Sequence, residues 1–135
     1  MTAIVLLVED NALNRDMLSR RLIKMGYRVL LAADGEDGVA QTRTHMPDLV
    51  LMDINMPVMD GWQAVRILKD DPKTRDIPVI ALTAHAMPSY KDKADEVGFN
   101  EFATKPIDFP ALVQTIEAIL HAQSINAAPI TRQEQ

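Results

Sequence analysis

The run LVLMD, residues 49–53, is apolar until it stops on a carboxylate, Asp53. An acid at the end of a buried strand is costly unless something pairs with it or uses it. Three other apolar runs stop on reactive groups in the same way. IVLLVE leads into Glu9 and Asp10, VIALT closes on Thr83, and EFATK closes on Lys105, with Pro106 next. If these runs lie side by side, three acids, a hydroxyl and an ammonium meet on one rim. Clustered carboxylates repel one another, and Lys105 offsets one charge. A hard divalent cation would offset two more. Mg2+ suits oxygen ligands, keeps several waters and binds one or two carboxylates together with a phosphate. The matching chemistry has Asp53 as a nucleophile toward a phosphoryl donor, forming an aspartyl phosphate. Lys105 and Thr83 would hold the phosphoryl oxygens as charge spreads over them.

That convergence demands a particular scaffold. The short runs at 4–9, 28–32, 49–53, 79–83 and 101–105 are mostly continuous Val, Ile and Leu, as in strands buried on both faces of a parallel sheet. Helix-length segments separate them. Residues 11–25 open on the capping residue Asn11 and stop before Gly26. Residues 35–45 follow Asp34, with Asp37 three residues on, and residues 61–70 follow Asp60 and end before Pro72. Residues 89–97 run from Ser89 to Gly98. The last helix, 108–123, places Leu112, Val113, Ile116, Ile119 and Leu120 on one face, with Asp108 to cap it and Pro110 in its first turn. Five strands alternating with five helices predict a (βα)5 α/β fold, a doubly wound, flavodoxin-like parallel sheet. The expected strand order is 2-1-3-4-5, one of the common orders for such sheets, and ligands bind beyond their carboxyl ends where strands 1 and 3 part. Domain boundaries are expected at 1–124, with a flexible tail at 125–135.

Composition narrows the function classes. With 135 residues, 47% apolar and 24% charged, the chain reads as one soluble globular domain. A net charge of −5 argues against a nucleic-acid-binding face. No stretch approaches a membrane span, and the apolar run 3–8 lacks the basic flank of a signal peptide. There is no cysteine, so thiol chemistry is excluded. A cytoplasmic location is expected.

The pieces LVEDN (7–11), LVLMDINMPVMDG (49–61), IALTAHA (80–86) and ATKPID (103–108) resemble, in order and spacing, the receiver domain of two-component response regulators. The resemblance covers about residues 3–122. It implies that Asp53 is the phosphoacceptor, that Asp10 binds Mg2+ directly and Glu9 through water, and that Asn55 offers the metal its backbone carbonyl. It implies that Thr83 and Lys105 contact the phosphoryl group. Phe102 takes the rotating aromatic switch position, as Phe where some members have Tyr, and Lys105–Pro106 matches a bond that is cis in most members. It also places Asn55 and His85 at the mouth of the site, where they influence acyl-phosphate lifetime. Implied partners are a histidine kinase or histidine phosphotransfer protein, with Asn14, Met17 and Leu18 as candidate contacts, and a downstream protein target. No output domain is expected before strand 1 or after residue 124, so the output would be protein binding or onward phosphotransfer rather than turnover of an external substrate.

Plainer readings stand beside these. Glu9–Asp10 alone would be a solvated turn or cap, Thr83 a strand end and His85 an ordinary loop residue. Asp60 reads as the turn and cap before Gly61, Trp62 as packing at a helix start, and His45 and His121 as exposed. Met56 and Met59, either side of Pro57, are candidates to cover the rim. A haloacid-dehalogenase-type phosphatase would need a second acid where Asn55 stands and its nucleophile on the first strand. A nucleotide- or flavin-binding module would need a glycine-rich phosphate loop, which is absent. A phosphorylation-independent adaptor would not need the full set of Asp10, Asp53, Thr83 and Lys105.

Overall fold

A computed structural model describes residues 2–56, 59–84 and 88–127. The elements alternate as the hydrophobic pattern requires: β1 (Ile4–Val8), α1 (Ala12–Lys24), β2 (Arg28–Ala32), α2 (Gly35–His45), β3 (Leu49–Asp53), α3 (Gly61–Asp70), β4 (Val79–Thr83), α4 (Pro88–Val97), β5 (Glu101–Thr104) and α5 (Phe109–Ala127). The five strands form one sheet in the order β2-β1-β3-β4-β5, every pairing parallel. No helix among the described residues is long and apolar enough to cross a membrane.

Alternation along the strands builds two apolar layers. Leu6, Val8, Val50, Met52, Val79 and Ala81 face a layer shared with α2, α3 and α4. Val5, Leu7, Leu49, Leu51, Ile80 and Leu82 face the other, where Leu22 of α1 and Leu112 and Ile116 of α5 close over them. Covered on both faces, β3 and β4 are buried at every position, whereas the edge strands β2 and β5 are not.

The helix starts follow their capping residues. Asn11 accepts from the Asn14 N–H, Asp34 from the Asp37 N–H and Asp108 from the Ala111 N–H. Asp60 forms a full capping box with Gln63. α1 stops at Gly26, whose φ of +99° suits a residue without a Cβ. Several boundaries differ from expectation by a residue or more. α5 continues to Ala127, past residue 124, and the remainder of the expected tail lies outside the described residues. β1 and β5 stop one residue short, at Val8 and Thr104, leaving Glu9 and Lys105 just beyond the strands.

Candidate functional site

Glu9 and Lys105 are nonetheless held by the ladders they leave. The Glu9 N–H donates to the Ala32 carbonyl at 3.0 Å, and the Lys105 N–H donates to the Thr83 carbonyl at 2.7 Å. Both side chains are thereby anchored over the carboxyl end of the sheet. Asp53 closes β3, in register with Leu82 of β4, so Thr83 lies one residue further along the neighbouring strand. Thr83 is wholly buried. The peptide bond Lys105–Pro106 is cis.

Glu9, Asp10 and Asp53 each present a carboxylate oxygen, and these oxygens lie within 4.8 Å of one another. Two of the acids are deeply buried, with Glu9 2% and Asp53 3% exposed, while Asp10 is open to solvent. Lys105 Nζ stands between the buried pair, donating to Glu9 Oε1 at 3.0 Å and lying 3.5 Å from Asp53 Oδ2. The Asn55 N–H donates to Asp53 Oδ1 at 3.1 Å, and the Asn11 N–H donates to Glu9 Oε2 at 3.2 Å.

One ammonium does not balance this cluster. Burial, then the charge and hydrogen bonding of Glu9, push the Asp53 carboxyl up to about 7, against the opposing pull of Lys105 and the Asn55 N–H. Burial alone would lower the Lys105 ammonium, but its bond to Glu9 and the charges of Asp53 and Glu9 raise it above the ordinary lysine value. The surplus negative charge, the all-oxygen donor set and the exposed Asp10 fit a hard divalent cation. Both Glu9 oxygens already accept bonds from the protein, so Asp10 and Asp53 are the carboxylates better placed to meet it.

Backbone approach narrows the floor. A Cβ at Gly61 would lie 2.6 Å from the Asp53 carbonyl oxygen and 2.7 Å from Ile54 Cα, so the start of α3 sits against β3 only because residue 61 has no side chain. Beside the acids, a cleft of about 310 Å³ is lined by Asn14, Met17, Leu18, Arg21, Lys105 and Pro106. Met17 is exposed, whereas Leu18 also packs on the α1–α5 core layer.

The structure groups Glu9, Asp10 and Asp53, sets Lys105 against Glu9 and Asp53, and brings Thr83 and Asn55 beside them. Phe102 is half-buried on β5 against the layer that holds α4, opposite Ala81. His85, with Pro57, lies outside the described residues. His45 and His121 are exposed. Trp62 packs at the helix start, its ring edge-on to Phe99 at 5.6 Å and under Lys93 at 4.6 Å. One participant went unread in the sequence: Arg15 folds back from α1 onto the carbonyls of Glu9 and Asp10.

A family model of the response regulator receiver domain matches residues 5–117. A polar-differentiation response regulator, DivK, from Brucella ovis is 38% identical over 120 residues, covering 89% of this chain and 98% of the relative. Among solved structures, the chemotaxis protein CheY4 of Vibrio cholerae superposes with a TM-score of 0.83 at 31% identity, over 88% of this chain and 99% of that one. The receiver domain of the Pseudomonas aeruginosa sensor histidine kinase PA1611, solved with a magnesium ion coordinated in its active-site cleft, superposes with a TM-score of 0.83 at 33% identity, over 90% of this chain and 99% of that one.

Proposed function

The chain belongs to the response regulator receiver domain family, and from that premise we propose that Asp53 is the phosphoacceptor of a Mg2+-dependent signalling switch. The observation that carries this reading is a buried Asp53 grouped with Glu9 and Asp10 and faced by Lys105 at 3.5 Å. Asp10, Asp53 and the Asn55 backbone carbonyl would hold the ion, with Glu9 acting through water. When bound, Mg2+ keeps Asp53 ionised and lets an anionic phosphoryl group approach.

The chain's own groups then perform the transfer. An Asp53 oxygen attacks phosphorus as the donor's P–N bond breaks, and the imidazole nitrogen leaves with that electron pair. Lys105, already held between the acids, neutralises an equatorial oxygen, and the Thr83 hydroxyl binds another. Thr83 moves toward the new phosphoryl group and Phe102 turns into the space it vacates, altering the surface of α4, β5 and α5. Carrying the switch from almost all off to almost all on needs about 5.5 kcal/mol of differential interaction.

Family members act as signalling proteins rather than by turnover of an external substrate, and slow self-dephosphorylation would reset this one. The donor is a histidine kinase or histidine phosphotransfer protein, docking over the cleft at Asn14, Met17 and Leu18. The output is a downstream protein or onward phosphotransfer, in the cytoplasm. The test is incubation with a small phosphodonor and Mg2+, followed by intact mass and peptide mapping beside Asp53→Ala. One phosphoryl group on Asp53, lost in the variant and without metal, is the expected result. A protein inert to every donor, or labelled elsewhere, refutes the proposal.

A further inference from the structure

Arg15 begins the second turn of α1, its N–H bonded to the Asn11 carbonyl at 2.9 Å. Its side chain does not run outward along the helix. It is half-buried, and Nη1 donates to the Glu9 carbonyl at 2.8 Å with a longer contact to the Asp10 carbonyl at 3.4 Å. No carboxylate pairs with it among the described residues, although Asp16 beside it pairs with Arg20. A guanidinium beside Glu9 and Asp10 that bonds to their backbone oxygens rather than to their carboxylates is acting on geometry.

The loop it grips is the one that must aim Glu9 and Asp10. The Glu9 N–H closes the sheet ladder, and the Glu9 carboxylate is fixed by Lys105 and the Asn11 N–H. The carbonyls of Glu9 and Asp10 lie past the ladder, and Arg15 is their donor. Asp10 is exposed to solvent, and among the described residues Arg15 is its hydrogen-bond partner.

We infer that Arg15 is a positioning residue of the acid cluster: its guanidinium clamps the Glu9 and Asp10 carbonyls so that the two side chains stay aimed at a divalent cation. This rests on the metal-binding reading above. Coulomb's law alone makes the opposite prediction, because deleting a nearby positive charge should tighten cation binding.

The experiment is a Mg2+ titration followed by thermal melting for wild type, Arg15→Met and Arg15→Lys, with amide exchange at Asn11 measured in EDTA. Loss of outer-shell support costs roughly 10-fold or more in metal affinity. Arg15→Met should therefore raise the Mg2+ dissociation constant about 10-fold and speed exchange at Asn11, and Arg15→Lys, which keeps the charge without the planar donors, should recover only part. Arg15→Met binding Mg2+ as tightly as wild type, or more tightly, overturns the inference and leaves the metal site standing. If Arg15→Met does not fold, parity of Arg15→Lys with wild type overturns it. A wild type indifferent to Mg2+ refutes the metal site itself, and the inference with it.

Discussion

Replacing Asp53 with Asn should stabilise the metal-free protein. Asp53 is 3% exposed, shares its pocket with a second buried acid, and has its carboxyl held at about 7 where an unfolded aspartate sits near 3.8. A folded-state value above the unfolded one means that ionisation opposes folding. The penalty is absent below about 3.8 and complete above about 7, so stability falls as pH rises through that window. Each unit is worth about 1.4 kcal/mol, so the whole penalty is a few kcal/mol, and more than half of it develops between pH 5 and pH 8. An asparagine amide recovers part of this, because it fits Glu9 and Lys105 imperfectly. Asp53→Asn should gain about 2 kcal/mol at pH 8 in EDTA, a rise of roughly 6 °C in Tm. The assay is thermal and urea unfolding of both proteins from pH 5 to pH 8. The advantage should shrink steadily toward pH 5. Adding Mg2+ at about 100 times its Kd should raise wild type by about 2.7 kcal/mol and the variant by much less, closing the gap. An Asn variant less stable than wild type in EDTA at pH 8, or a difference that does not change with pH, refutes the account of the pocket.

Two further substitutions probe the floor and the coupling. Gly61→Ala puts a Cβ 2.6 Å from the Asp53 carbonyl oxygen, and since the obstacle is backbone, β3 or α3 must shift. Urea unfolding should show a loss of about 1–3 kcal/mol, with weaker Mg2+ binding, and an unchanged midpoint contradicts the close approach. Thr83→Ala should still accept a phosphoryl group on Asp53, yet the Phe102 ring should keep its unphosphorylated NMR shifts; a ring that shifts as in wild type breaks the proposed link.

The scaffold was readable because buried parallel strands announce themselves as unbroken Val, Ile and Leu, and polar residues can enter only where the strand ends. Glu9, Asp53 and Thr83 stand out for that reason, whereas Lys105 ends the more polar edge run EFAT and is marked by the proline after it; their meeting follows from strand order. What stayed hidden depends on contacts with no sequence period. Arg15 looks like any solvent-facing helix arginine until its side chain is seen turned back onto two carbonyls. The apolar stripe of α5 ends at Leu120, and the expected helix ends at Gln123. Yet no Gly or Pro interrupts residues 123–127, and Gln123 Nε2 donates to the Asp76 carbonyl at 3.1 Å, tying that turn to the rest of the fold. The capping box at Asp60 was half visible: Asp60 read as a cap, but the reciprocal Gln63 bond needs coordinates.

Charge counting explains why such a pocket can throw a switch. Fully ionised, Glu9, Asp10 and Asp53 against Lys105 leave two negative charges, a total that one divalent cation cancels. Phosphorylation of Asp53, as proposed, would replace its single charge with one approaching two and leave the balanced pocket negative again. Lys105 is already committed between the two buried acids and has no second charge to offer. Relief must come from neutral donors, and Thr83, buried on the adjoining strand, is the hydroxyl at that rim. In the proposed switch its movement would make room beside β5, where Phe102 sits half-buried against the layer that carries α4. On the proposed mechanism, the same shortage of positive charge that makes Asp53 costly in the resting protein would also drive a neighbouring strand to respond once phosphorus is bound.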